Sequence, residues 1–140
     1  MERTRRCDLL ARLPDKDLQA LAALVIDAKK DQVVPVTPPT TGMIMARIRE
    51  GARGDVFNLG EVLVTECQVR VGKREGWSML MGNRPKGALA AASIDAVTAA
   101  GHPATSELDA LLSVMIADQD ALAAAERAKL ATTRVQFDTQ

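Results

Sequence analysis

The chain has 140 residues, about one domain's worth, of which 47% are hydrophobic and 26% charged; 18 basic and 18 acidic residues cancel to zero formal charge. This balance excludes a disordered acidic or basic tail and a nucleic-acid binder that works through a large positive field. With Phe57, Trp77 and Phe137 as the only aromatic residues, a base-stacking platform is excluded as well, and the core has to be built from Leu, Val, Ile, Met and Ala.

Leu9, Leu10 and Leu13 fall on one helical face, and after Pro14 a second face recurs at Leu18, Leu21, Ala22, Val25 and Ile26, so two helices are predicted within residues 1–30. Pro14 suits a helix start, and Asp15 and Asp17 favour the positive end of its dipole. From Val33 the pattern turns β-branched with period two. A break at Pro38-Pro39-Thr40-Thr41-Gly42 predicts a hairpin before Met43 to Arg49. A second break at residues 50–55 leads to the clearest strand, Glu61 to Val71, with Leu63, Thr65, Cys67, Val69 and Val71 on one face and Glu66, Gln68 and Arg70 on the other. Residues 72–76 read as a turn into Trp77 to Met81, which completes an antiparallel sheet over residues 31–82.

Ala88 to Ala100 reads as an alanine-rich, closely packed helix ended by Gly101 and Pro103. The longest helix follows Thr105 and Ser106, with Leu108, Leu111, Leu112, Met115, Ile116, Gln119 and Leu122 at spacings of three and four toward Leu130. An extended tail over residues 132–140 closes the chain. The expected class is α+β, a single domain with an antiparallel sheet of three to four strands between two N-terminal and two C-terminal helices over residues 86–131. Asp8 and Arg12 interrupt the apolar residues after Arg3, Arg5 and Arg6, so no secretory segment forms. The low-charge window 87–106 is too weakly apolar to span a bilayer, and a cytoplasmic protein is expected.

Catalytic candidates are few. The single histidine, His102, lies between Gly101 and Pro103, a loop position more than a general base. Cys7 and Cys67 lack metal or redox spacing and read as buried thiols. Glu61 and Glu66 fall on opposite strand faces and form no acid/base pair. Gly82-Asn83-Arg84-Pro85-Lys86-Gly87 has P-loop-like glycine spacing, but Ala88 and Leu89 replace the Lys and Ser/Thr that a P-loop needs. Arg84 and Lys86 remain anion-binding candidates at a helix entrance, against a plain connection with solvated charges. The arginines of the first helix present a basic face to an anionic substrate or an acidic partner, or simply to water. The tail residues Val135 and Phe137 alternate like a strand that adds to a sheet edge, and Met43, Met45, Met79 and Met81 are candidates for an apolar patch; Met79, Met81, Val135 and Phe137 are the partner-interface candidates. No catalytic or metal-ligating residue is assigned.

The stretch Phe57-Asn58-Leu59-Gly60-Glu61-Val62-Leu63-Val64-Thr65-Glu66-Cys67-Gln68-Val69 resembles the G subunit family of the bacterial phosphonate carbon-phosphorus lyase system, PhnG. The likeness continues through Gly76 and Gly82 to Ala88, Ala91, Ala92, Asp95 and Ala96 and ends on Arg134-Val135-Gln136-Phe137. The chain departs from the family's pattern at Glu66, where arginine is common, and over residues 83–89. The resemblance implies a small accessory subunit of a cytoplasmic core complex with H, I and J subunits, joined transiently by an ATPase-like L subunit. It implies no cofactor in this chain, ATP as substrate of the complex, and neither nucleic acid nor membrane as partner. The implied reaction is attack of a phosphonate oxygen on the ribose C1 of ATP with release of adenine, assigned mainly to the I subunit. The alternative is a stand-alone phosphate- or small-molecule-binding module built on the 82–87 loop.

Overall fold

The computed structural model describes residues 1–27, 31–51, 53–99 and 101–131. Its order is α1 (Arg3–Arg12), α2 (Asp15–Val25), β1 (Val33–Arg49), β2 (Val56–Val71), β3 (Arg74–Met81), α3 (Pro85–Thr98) and α4 (Thr105–Ala131). The α+β class and the helix–sheet–helix order are as expected, with three strands in the order β1-β2-β3, both pairs antiparallel. Val135, Phe137 and the tail lie outside the described residues.

The hairpin expected at residues 38–42 does not form. β1 runs through it as one 17-residue strand whose register slips between Pro35 and Thr37 and again between Thr37 and Thr40. The reason is position: β1 is an edge strand, where a proline can sit without costing a ladder bond on the outer side, and the register shifts on either side of Thr37 accommodate Pro38 and Pro39, whose nitrogens cannot both face outward. The turn between β2 and β3 is shorter than the expected 72–76: Val71 pairs with Arg74 across Gly72 and Lys73, so Arg74, Glu75 and Gly76 already belong to β3. Gly72 takes a positive φ of 61°, the left-handed backbone that two-residue hairpins require.

α3 is the central element. Eleven of its fourteen residues are buried, so no amphipathic stripe exists and the helix is surrounded on several sides. Its hydroxyls turn back on their own helix, Ser93 Oγ to the Leu89 carbonyl at 2.7 Å and Thr98 Oγ1 to that of Ile94 at 2.8 Å, which makes them tolerable there. One side lies on the sheet face formed by Thr65, Cys67, Val69, Gly76, Ser78 and Leu80. Ser78 Oγ donates to the Ala88 carbonyl at 2.7 Å, and a Cβ at Gly76 would stand 2.1 Å from the Ala92 carbonyl oxygen. Backbone meets backbone at that point, and the alanines are what permit it. Leu10 and Leu13 of the first helical segment, Leu18, Leu21 and Val25 of α2, and Leu108, Leu112 and Ile116 of α4 complete the core.

Two elements outrun this core. β3 pairs only with residues 64–71 of β2, so β1 and β2 continue beyond it as a two-stranded ribbon over residues 42–63. In α4 the buried positions end at Ile116, and Leu122 and Leu130 are 69% and 68% exposed. The expected apolar face of α4 is thus a core face only in its first half.

Candidate functional site

Three of the α1 arginines that sequence reading left facing solvent, an anion or an acidic partner, Arg3, Arg6 and Arg12, are paired inside the chain. Arg6 is 5% exposed and its guanidinium grips Asp109 of α4 with Nε to Oδ1 at 2.6 Å and Nη2 to Oδ2 at 2.9 Å, while the N-terminal ammonium reaches Asp109 Oδ2 at 2.9 Å. These hydrogen bonds, Arg6's above all, hold the Asp109 carboxyl below the usual carboxylate range against its partial burial. Arg12 pairs with Asp120 one helix stretch further on. Arg3 meets Asp95 of α3 in a fork, Nε to Oδ1 at 2.8 Å and Nη2 to Oδ2 at 2.7 Å. Arg3, Arg6 and Arg12 thus fasten α1 to α3 and α4, and Arg5 is left exposed.

Asp95 of α3 joins three elements. It is 3% exposed, and besides Arg3 it accepts the backbone N–H of Trp77 at 3.0 Å and faces the Cys7 thiol at 3.7 Å. Burial alone would raise its pKa, but the bonds from Arg3 and Trp77 outweigh burial and keep the carboxyl below the usual range. Burial and the Asp95 charge push the Cys7 thiol up, and burial pushes up that of Cys67, so both are protonated near neutrality and poor nucleophiles. Sequence reading named Asp95 only as a point of family likeness. A lone aspartate on an alanine-rich helix carries no signal of its partners, which stand 18 and 92 positions away in the chain.

The Gly82–Gly87 loop does attract a carboxylate, and that carboxylate is the chain's own. Arg84 Nε donates to Asp15 Oδ1 at 2.6 Å, Nη1 to the Ala11 carbonyl at 3.3 Å and Nη2 to that of Leu13, so the guanidinium covers the end of α1. The Arg84 N–H bonds Thr65 Oγ1 at 2.8 Å, which in turn donates to the Gly82 carbonyl at 2.6 Å. At Gly87 a Cβ would lie 2.3 Å from Asp15 Oδ1, so glycine is what lets the carboxylate approach the start of α3. Lys86 is exposed. His102 Nδ1 accepts the Ala104 N–H at 3.2 Å and shapes the turn into α4. Among the described residues no group of three or more His, Cys, Asp or Glu is placed to hold a metal ion, and no helix is long and apolar enough to cross a membrane.

Apolar surface is what the chain leaves open. A cleft of about 640 Å³ lies between α1 and β3, lined by Cys7, Leu10, Val64, Met79 and Met81 with Arg3 and Asp95 at one end, and it opens onto Ile44 and Val62 of the ribbon. The expected methionine patch is divided. Met79 and Met81 pair with Glu66 and Val64 on the sheet face away from α3, whereas Met43 and Met45 pair with Leu63 and Glu61 on the face that α3 covers lower down. Met81 is 71% exposed and Met79 half-buried.

Fold and surface together define a small α+β protein organised around a buried helix, with α1 tied by ion pairs to α3 and α4 and large apolar side chains exposed on its sheet. The family model for the phosphonate metabolism protein PhnG matches residues 1–140, and the chain belongs to that family. A relative from Rhizobium meliloti (strain 1021), the alpha-D-ribose 1-methylphosphonate 5-triphosphate synthase subunit PhnG, is 39% identical over 133 residues, covering 94% of this chain and 83% of the relative.

Proposed function

We propose that this chain is an accessory subunit of a cytoplasmic synthase that joins a phosphonate to C1 of the ribose of ATP with release of adenine, yielding alpha-D-ribose 1-methylphosphonate 5-triphosphate from methylphosphonate. The observation that carries the reading is the 39% identity to a synthase subunit over 94% of this chain. In the reaction a phosphonate oxygen forms a bond to C1 as the glycosidic C–N bond breaks, and adenine leaves with that electron pair and takes up a proton. Such a displacement needs groups that bind triphosphate and protonate or accommodate the base. The two arginines placed there are instead tied to carboxylates of this chain, Arg3 at the cleft to Asp95 and Arg84 in the 82–87 loop to Asp15. The role this leaves is to supply surface to H, I and J subunits, with an L subunit engaged transiently, while ATP and phosphonate bind elsewhere in the assembly.

The test is reconstitution with and without this chain. Adenine release from ATP in the presence of methylphosphonate, followed by chromatography, is expected to fall at least tenfold when the chain is omitted and to return when it is added back. Undiminished release, or failure of the tagged chain to retain any of the H, I and J subunits, refutes the proposal. The stand-alone module loses its main support because Asp15 already faces Arg84 at the loop.

A further inference from the structure

The ribbon over residues 42–63 has apolar side chains on both faces. Ile44, Ile48 and Phe57 lie on one, with Ile48 opposite Phe57, while Met43, Met45 and Leu63 lie on the other, with Met43 opposite Leu63. All six are between 39% and 53% exposed, and Val56 and Leu59 add 47% and 59%. An isolated two-stranded hairpin is marginal in water, and here the Ile44, Ile48 and Phe57 face carries no charged side chain, whereas the other sets Arg47, Arg49, Asn58 and Glu61 among its apolar residues. Its polar contacts gather at the tip, where Arg49 Nη1 donates to the Gly54 carbonyl at 2.6 Å and the Arg53 N–H to Glu50 Oε1 at 2.5 Å. Shaft and tip thus differ: the shaft is built to be covered, the tip to hold its own shape.

We infer that the ribbon of residues 43–49 and 56–63 is an insertion arm that a different polypeptide encloses on both faces, through an apolar wall against Ile44, Ile48 and Phe57, a mixed polar and apolar wall against Met43 and Met45, and a strand laid along the outer edge of β1. The inference rests on the subunit reading above and names the surface that reading requires. Area supports it, since the eight half-exposed large residues, summed over the two faces that one partner would enclose, present roughly 700 Å², near the ~800 Å² that each partner gives a standard interface. Edge chemistry supports it too. Pro35, Pro38 and Pro39 block strand addition close to the body, whereas residues 40–49 contain no proline and keep their outward N–H groups. A second copy of this chain does not fit the role. The cleft between α1 and β3, at about 640 Å³, has the size of a small-molecule pocket and cannot hold a two-stranded ribbon, and edge-to-edge pairing of two arms leaves their faces uncovered.

The experiment co-produces the full chain with H, I and J subunits and compares wild type with Met45→Asp and Phe57→Asp, one exposed position from each face. Both variants should melt within about 2 °C of wild type when isolated, because neither side chain is in the core. Recovery in the complex should fall at least tenfold for each, and amide exchange over residues 43–63 should slow on assembly of the wild type. Normal recovery of both variants with unchanged exchange in the ribbon overturns the inference while leaving the subunit reading standing. A wild-type chain that retains no partner removes both. A wild-type chain that is dimeric alone and made monomeric by these substitutions overturns the inference in favour of a second copy.

Discussion

Replacing Gly76 with alanine puts one methyl group where the structure has no room for it. The added Cβ would stand 2.1 Å from the Ala92 carbonyl oxygen, 2.3 Å from the Ala96 nitrogen and 2.8 Å from the Ala96 Cα. Every one of these atoms is backbone of α3, so no side chain can rotate aside; the helix has to move off β3 by about an ångström or more to restore ordinary contact. α3 cannot do so freely, because the Ser78–Ala88 and Trp77–Asp95 hydrogen bonds tie it to the same strand on either side of the contact. Overpacking typically costs about 1–3 kcal/mol when side chains can adjust, so about 3 kcal/mol or more is expected here. For a chain of this size that is a fall in Tm of roughly 10 °C. Differential scanning calorimetry reads it directly, and Gly42→Ala is the control, since nothing lies within 4 Å of a Cβ at Gly42 and its melting point should shift by no more than about 2 °C. A Gly76→Ala protein that melts within about 2 °C of wild type would refute the backbone-on-backbone packing of α3 on β3.

The remaining predictions test the ion pairs and thiols. The folded-state pKa values of Asp95 and Asp109 are depressed, so their stabilisation is complete above the unfolded aspartate value of about 3.9 and is lost as pH falls through the folded values; urea midpoints should drop below about pH 4, and Asp95→Asn with Asp109→Asn should flatten that drop. Arg84→Met should cost about 2 kcal/mol in urea unfolding, because charge-assisted bonds to Asp15 and to the end of α1 are lost, and Arg84→Lys should recover less than half for want of the planar fork; Lys86→Ala should change stability by less than about 0.5 kcal/mol. Equal effects at positions 84 and 86 would contradict the clamp. At pH 7 an aromatic disulfide reagent should leave Cys67 unmodified until the protein unfolds and should titrate Cys7 slowly, since both thiols are raised and Cys67 is buried; rapid reaction of both would contradict the environments described.

Local chemistry made the helices and the central strand legible in advance. Pro14 with Asp15 and Asp17 marked the start of α2, Gly101 and Pro103 the gap before α4, and the alternation from Thr65 to Val71 the buried face of β2. Each of these signals acts within a few residues, where steric and dipole preferences operate without help from the rest of the chain. The run of residues 38–42 misled for the same reason. Its prolines and glycine favour a turn locally, and only the edge position of β1 makes an extended path acceptable.

The amino-acid order alone determined the class, the succession of elements, the family likeness and which side chains share a face. Tertiary structure alone decided what lies across from each face. Period-two alternation groups Met43 with Met45 and Met79 with Met81, but the register with β2 sets the pairs on opposite sides of the sheet. Helical spacing places Arg3 and Arg6 on α1, and the loop sequence places Arg84 at the entrance to α3, but their carboxylates are 92, 103 and 69 residues distant, brought into reach only by packing. Leu63 continues the parity of Thr65 and Cys67, yet it is 41% exposed, because the helices end where the ribbon begins and periodicity carries no record of where a cover stops.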